Sequence, residues 1–402
     1  MKKKKVLLIH HSGLLGGAGI SLYYTWKALE EKYEVSCYVP SEPPELMDFL
    51  VSKGLKPKTY AFRLGKITYY SGGNTLASPK FWYHALRSIT QFKFWKTIIK
   101  NERPDLVFVN SKVLCWMSIL FNEVKSVCFV RETIPGNPKS LMNRIMRGLL
   151  DKFSLVAFLS EYDADQTGLE NANKIISPDF LDVLEYEEII SREKACEKLG
   201  LNSELFNVLF VGGKDPLKGL DVGLKAISRL KDSRIQLIVA GYDKISIHSH
   251  GFKGVIEKIK KQKILKYSQN IDEFIARNNI VDSIKFIGIQ SDMRTVYTAS
   301  DLLIFPMTKP HQARPAFEIG VQKKPVIISD FPNIGEFVIN GKNGLAFKPN
   351  DHIELANAIL RLKNDTNLRN QLGNENQEFT YKFHTAEYSV KQLLIGIDKI
   401  IG

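Results

Sequence analysis

Short runs of β-branched and aromatic residues alternate with amphipathic stretches from the start of the chain. Val6–His11, Glu34–Pro40, Asp105–Asn110, Val127–Glu132 and Leu155–Ser160 are apolar, short and bounded by turn residues or charges, a pattern that predicts strands. Between them, Ile20–Glu31 and Glu45–Gly54 carry helical spacing, the second closed by a glycine where a helix C-terminus favours one. A β-α-β-α order implies a parallel sheet covered on both faces. The order restarts near residue 205. Asn207–Gly212, Gln236–Gly241, Ser283–Gly288, Asp301–Pro306 and Pro325–Ser329 predict strands, and Gly219–Leu230, Ile271–Asn279 and Asp292–Ala299 predict helices. Lys258, Lys260, Lys261, Lys263 and Lys266 predict a further, solvated helix within 242–270. With the polar, acidic segment Leu181–Leu201 between the two blocks, the expectation is an α/β chain of two doubly wound, Rossmann-like domains facing each other across a cleft. Ligands of such sheets bind beyond the carboxyl ends of the strands.

A length of 402 residues accommodates this division. No apolar run approaches the ~18 residues of a membrane span, which excludes an integral membrane protein. Val6–Ile9, behind four lysines, is too short for a signal-peptide core and reads as the first strand. Cys37, Cys115, Cys128 and Cys196 are scattered without a C-x-x-C spacing, so buried thiols in a reducing cytoplasm are expected, with neither a disulfide framework nor a zinc site.

Charge changes the picture more. The net charge is +13, and residues 1–150 account for all of it, with 23 basic against 10 acidic side chains. Residues 51–100 hold ten basic side chains and no acidic one. One half of the molecule is therefore built for an anionic partner: nucleic acid, a membrane surface or a phosphorylated substrate. Within 80–101, Trp82, Ala85, Ile89, Phe92, Trp95 and Ile99 step by three and four, the core-facing stripe of one helix. Phe94 and Ile98 lie opposite, among Lys93, Lys96, Lys100 and Arg87. Rings amid cations suit a membrane interface, and a helix buried on two sides is the other reading. No RRM, KH or helix-turn-helix signature supports nucleic acid.

Two loops carry candidate chemistry. The first strand runs into Gly13-Leu-Leu-Gly16-Gly17-Ala18-Gly19 and then a helix, either a phosphate cradle or a tight strand-to-helix turn. The second block opens Gly212-Gly213-Lys214-Asp215-Pro216-Leu217-Lys218-Gly219, with lysines placed between strand and helix to meet a diphosphate. His10 and His11 end the first strand, and strand alternation turns at most one of them toward the cleft. Asp163-Ala-Asp165 imitates a metal-binding Asp-x-Asp but reads as a solvated helix face.

The turn Lys218-Gly-Leu-Asp221, Phe286-Ile-Gly288, Tyr297-Thr-Ala-Ser-Asp301, Glu318, Lys324-Pro325, Glu336 and Gly344-Leu-Ala-Phe-Lys-Pro349 follow one another in an order that resembles retaining glycosyltransferase family 4, of the GT-B fold. The Gly16-Gly17-Ala18 loop resembles that family's N-terminal glycine loop. The resemblance implies an N-terminal acceptor domain over 1–180, onto which a last helix within 385–402 packs, and a donor domain over 190–384. It implies sugar transfer, with retention and without a metal or other cofactor, from a UDP- or GDP-sugar to a lipid-linked or oligosaccharide acceptor. That activity suits bacterial surface polysaccharide synthesis, by an enzyme cytoplasmic and peripheral on the inner face of the cell membrane. It also assigns roles: Glu318 on the ribose, Lys218 on the diphosphate, and the backbone of Gly213, Lys214, Gly288, Ala313, Arg314 and Pro315 around phosphate and sugar. Three positions depart from the family pattern. Pro310 stands where the first Glu of Glu-x7-Glu falls, with His311 beside it as the replacement for its contact to the sugar. Gly213 or Lys214 replaces an arginine, and Arg131-Glu132 replaces an N-domain histidine, with Arg131 on phosphate and Glu132 toward the acceptor hydroxyl; a strand-end ion pair is the other reading of these two. Those departures leave a second expectation, a non-catalytic GT-B subunit that stabilises or targets a partner glycosyltransferase.

Overall fold

A computed structural model of the chain describes residues 3–61, 79–121, 123–132, 140–169, 173–186, 190–241, 251–310 and 312–402. The chain divides into two compact units, Met1–Phe180 with Thr385–Gly402, and Leu181–His384.

The first unit is built on seven parallel strands: β1 (Lys5–Ile9), β2 (Glu34–Pro40), β3 (Lys58–Tyr60), β4 (Leu106–Val109), β5 (Lys125–Val130), β6 (Leu155–Phe158) and β7 (Lys174–Ile176), in the order β3-β2-β1-β4-β5-β6-β7. The central strands are apolar on both faces because each face meets its own core. Leu7, Ile9, Val107 and Val109 point into one cluster, while Val6, Leu8, Leu106 and Phe108 point into the other. The final helix, Ala386–Ile401, belongs to this unit: Leu393 and Ile397 enter the second cluster, and Asp398 accepts from the Tyr33 hydroxyl and pairs with Lys32.

The second unit repeats the plan with six parallel strands: β8 (Phe206–Val211), β9 (Ile235–Ala240), β10 (Ile284–Gly288), β11 (Leu302–Phe305), β12 (Val326–Ser329) and β13 (Gly344–Phe347), in the order β10-β9-β8-β11-β12-β13. In each sheet the strand order reverses once, between β1 and β4 and between β8 and β11. Such a reversal opens a crevice at the carboxyl edge, because consecutive crossovers leave on opposite sides.

Strand positions agree with the sequence pattern to within one or two residues, but three expectations need correction and some edge strands lie outside the pattern. Residues 80–101 form two helices, Pro79–Thr90 and Phe92–Glu102, with Gln91 between them. The break shifts the helical phase, so Trp82 (57% exposed), Leu86 (65%) and Ile89 (62%) face outward, and Phe81, Ser88 and Trp95 face the core. Trp95 is edge-on to Tyr60, with ring centroids 5.5 Å apart, and Phe92 stacks on Trp116. The helix expected over Ile271–Asn279 is the end of one 27-residue helix, Gly251–Arg277. Asp163 is buried, not solvated: it is the third residue of the helix Glu161–Thr167 and accepts from Ser160 Oγ at 2.9 Å, while Asp165 is exposed. Finally, β3, β7 and β13 are absent from the strand pattern, each being a run of three or four residues at a sheet edge. All four cysteines are buried free thiols.

Candidate active site

The reversal point of the second unit gathers the loops that follow β8, β9, β10 and β11. Backbone bonds tie them together: Gly212 and Gly213 donate to Ala240 O at 2.9 and 3.0 Å, Gly241 to Gly288 O at 2.7 Å, and Thr308 to Leu217 O at 3.1 Å. Glycine is required where these loops touch. Gly219 has φ +75°, and a Cβ there would lie 1.9 Å from the Pro306 carbonyl oxygen. Gly212 has φ +147°, and its missing side chain makes room for Lys218, whose Cγ would be 2.6 Å from an added Cβ. Gly288, at φ +69°, has open space where a Cβ would stand.

The two lysines of this loop differ sharply. Lys214 is buried, ion-paired with Asp272 at 2.6 Å and placed over the Phe286 ring. Its charge is already matched, so its contribution at the site is backbone. Lys218 lies half-buried with its ammonium 5.1 Å from the centre of the Phe305 ring, and among the described residues no carboxylate or carbonyl pairs with it. Burial drives its pKa down to about 8, against a small opposing pull from Asp215. A desolvated, unmatched cation at a loop edge is a ready partner for an anion.

Beyond β11 the chain enters the helix Arg314–Gly320, with the buried Ala313 preceding it and Pro315 in its first turn. Glu318 is 8% exposed. Its Oε1 accepts from Arg314 Nε at 2.6 Å and its Oε2 from the Tyr297 hydroxyl at 2.5 Å. His311 lies outside the described residues.

In the first unit the reversal point holds a buried polar network. His10 Nδ1 and Asn110 Nδ2 are 3.0 Å apart, which links the ends of β1 and β4. Arg131, just past β5, donates to Asn110 Oδ1 at 2.6 Å and to Thr25 Oγ1 at 3.3 Å, faces Asp179 at 3.9 Å and lies over the Phe129 ring. Glu132 accepts from Ser111 Oγ and from the Lys112 amide at 3.4 Å. The ammonium of Lys112, fully buried, donates to the Glu132 carbonyl at 3.1 Å; burial pulls its pKa down while Glu132 and Asp163 oppose that shift. Neither Arg131 nor Glu132 pairs with the other among the described residues. Gly16 precedes and Gly17 and Ala18 begin the helix Gly17–Lys32, with no side-chain cap on its first-turn amides; Gly16 and Gly17 are exposed and Ala18 is half-buried. Asn110, Ser111 and Lys112 escaped the sequence reading, although three polar residues directly after an apolar strand are the signal that marks such a strand end.

Residues 191–379 match the family model for glycosyl transferases group 1. An uncharacterized glycosyltransferase of Methanocaldococcus jannaschii is 25% identical over 323 residues, covering 78% of this chain and 79% of the relative. Among solved structures, the Anabaena protein HepE in complex with UDP superposes with a TM-score of 0.77 at 18% identity, covering 98% of this chain and 100% of that one. Sucrose-phosphate synthase from Thermosynechococcus elongatus gives 0.73 at 16% identity, with 99% of each chain covered. The fold is GT-B, and residues 191–379, within the second unit, carry the sequence pattern of glycosyl transferases group 1, which together with the relative supports a transferase.

Proposed function

We propose that the chain moves a sugar, with retention and without a metal, from a nucleoside-diphosphate sugar to a hydroxyl of a membrane-associated, lipid-linked saccharide. The observation that carries this reading is Lys218: an unmatched, half-buried ammonium among glycine-shaped loops at a sheet's reversal point. As the bond between the sugar's anomeric carbon and the diphosphate breaks, charge grows on the leaving oxygen, and a fixed cation with neighbouring backbone N–H groups stabilises it. Glu318 receives the ribose hydroxyls. UDP is favoured over GDP because HepE was solved with UDP. Arg131, held on three sides, orients the strand ends, and Glu132 serves the acceptor hydroxyl.

The acceptor side follows from the first unit's charge and from its surface. Trp82, Tyr83, Leu86 and Ile89 are exposed along one face of the helix Pro79–Thr90, and Lys93, Lys96 and Lys100 are exposed on the next helix. Rings and cations together suit the face of an anionic bilayer. Among the described residues no helix is long and apolar enough to cross a membrane, so attachment in this reading is peripheral. A bacterial surface polysaccharide assembled on a lipid carrier at the cytoplasmic face supplies such an acceptor.

The test is to incubate the purified chain with UDP- and GDP-sugars and a lipid-linked saccharide, with and without EDTA, and to read the product's anomeric configuration by NMR. Transfer with the donor's configuration, unaffected by EDTA, is expected. Inversion or loss with EDTA overturns the mechanism. Donor binding without transfer or hydrolysis favours the non-catalytic subunit, for which Pro310 in place of a carboxylate is the specific sign.

A further inference from the structure

Glu318 is held from two sides before any ligand arrives. Arg314, one helical turn earlier, fixes Oε1, and the Tyr297 hydroxyl fixes Oε2. Tyr297 comes from a different element, the helix Met293–Ala299, which packs on the helix Arg192–Leu199. It is fully buried, and its ring lies 6.5 Å from that of Tyr186. Burial first, then the Glu318 charge, pushes the phenol well above its usual range, so the hydroxyl keeps its proton and acts as a donor. A carboxylate with one donor on each oxygen has lost its freedom to rotate, yet each oxygen retains a lone pair. Two adjacent acceptors at fixed spacing match two adjacent hydroxyls.

We infer that Tyr297 is a positioning residue for the donor's ribose: by bonding Glu318 Oε2 it fixes the carboxylate so that its remaining lone pairs meet the cis-2′,3′-diol. This rests on the reading that Glu318 holds the ribose. In this reading Tyr297 acts only through Glu318; it opens the run Tyr297-Thr-Ala-Ser-Asp301, whose spacing alone gives it no role.

The variant Tyr297→Phe removes one oxygen and leaves the core filled. Calorimetry with UDP and with 2′,3′-dideoxy-UDP separates positioning from packing. Expected is a roughly ten-fold loss for UDP, no loss for the dideoxy analogue, and a raised KM for the nucleotide-sugar with kcat little changed. Equal losses for both nucleotides, or none for either, overturn the inference. Glu318→Ala is the control for the underlying reading: if it fails to distinguish the two nucleotides, the ribose assignment falls; if it distinguishes them and Tyr297→Phe does not, only the role of Tyr297 falls. Should Tyr297→Phe fold poorly, para-fluorophenylalanine at 297 fills the hydroxyl's space without a proton and must give the same pattern.

Discussion

Lys218 and Lys214 show how one loop assigns opposite fates to the same residue type. Both stand after β8, and the sequence offered either as the cation for a diphosphate. Asp272, fifty-eight residues away in the chain, takes Lys214 out of play, a pairing that no local spacing discloses. Lys218, left unmatched, has a pKa of about 8, and a diphosphate requires its charged form. The shift is downward, so the free protein loses this proton as pH rises through 8. UDP affinity should then fall by up to ten-fold per pH unit until the pKa of the lysine in the complex is reached. Calorimetry near pH 8.5 in buffers of different ionisation enthalpy should show proton uptake on UDP binding, and Lys218→Met should abolish it. A flat affinity from pH 7 to 9.5 would separate Lys218 from the diphosphate. Gly219 makes a second prediction at this scale. In Gly219→Ala the backbone must keep φ near +75° with a Cβ driven into the Pro306 carbonyl. The left-handed conformation alone costs ~1–2 kcal/mol, so thermal unfolding should reveal a larger loss than that. An unchanged melting temperature would mean that the two loops move apart freely.

Elements were legible where their apolar runs were long. The central strands announced themselves because both of their faces are buried, which turns alternation into a continuous apolar run. Edge strands of three residues carry no such signal, and the break at Gln91 is set by tertiary packing of Trp95 and Phe92, not by a proline or glycine. One continuous helix would turn Trp82 and Ile89 inward, whereas in the fold both face outward. Their true position strengthens the surface reading of the helix pair. Trp82→Ser, Leu86→Ser and Ile89→Ser together should leave the melting temperature within a degree or two, since all three are exposed, while releasing the protein from anionic liposomes. Reversing Lys93, Lys96 and Lys100 to Glu should weaken the same binding by at least a hundred-fold, at ~1 kcal/mol per lysine. Wild-type binding should itself fall steeply as salt rises. Co-sedimentation of both variants with vesicles at wild-type levels would assign this face to another partner.

At the scale of the molecule, two sheets of one plan carry different loads. The second unit combines matched and unmatched cations, a clamped carboxylate and glycine-shaped loops, most of which sit in short sequence motifs and are readable as chemistry. The first unit hides its polar network in burial and long-range bonds: His10 and Arg131 stand out in the sequence, whereas Asn110 and Lys112 emerge only in the fold. Its excess of charge was legible, because composition does not depend on the fold. The proposed nucleotide site lies in the second unit, and calorimetric titration of UDP into wild type, Lys218→Ala and Glu318→Ala tests it most directly. A charge-assisted contact is worth ~1.5–3 kcal/mol, so each variant should bind ten- to a hundred-fold more weakly; Lys218→Ala should keep its unfolding transition, while Glu318→Ala should stay folded with a lowered one, because Arg314 and Tyr297 lose their partner. Wild-type affinity retained in both variants would contradict the assignment of the donor site.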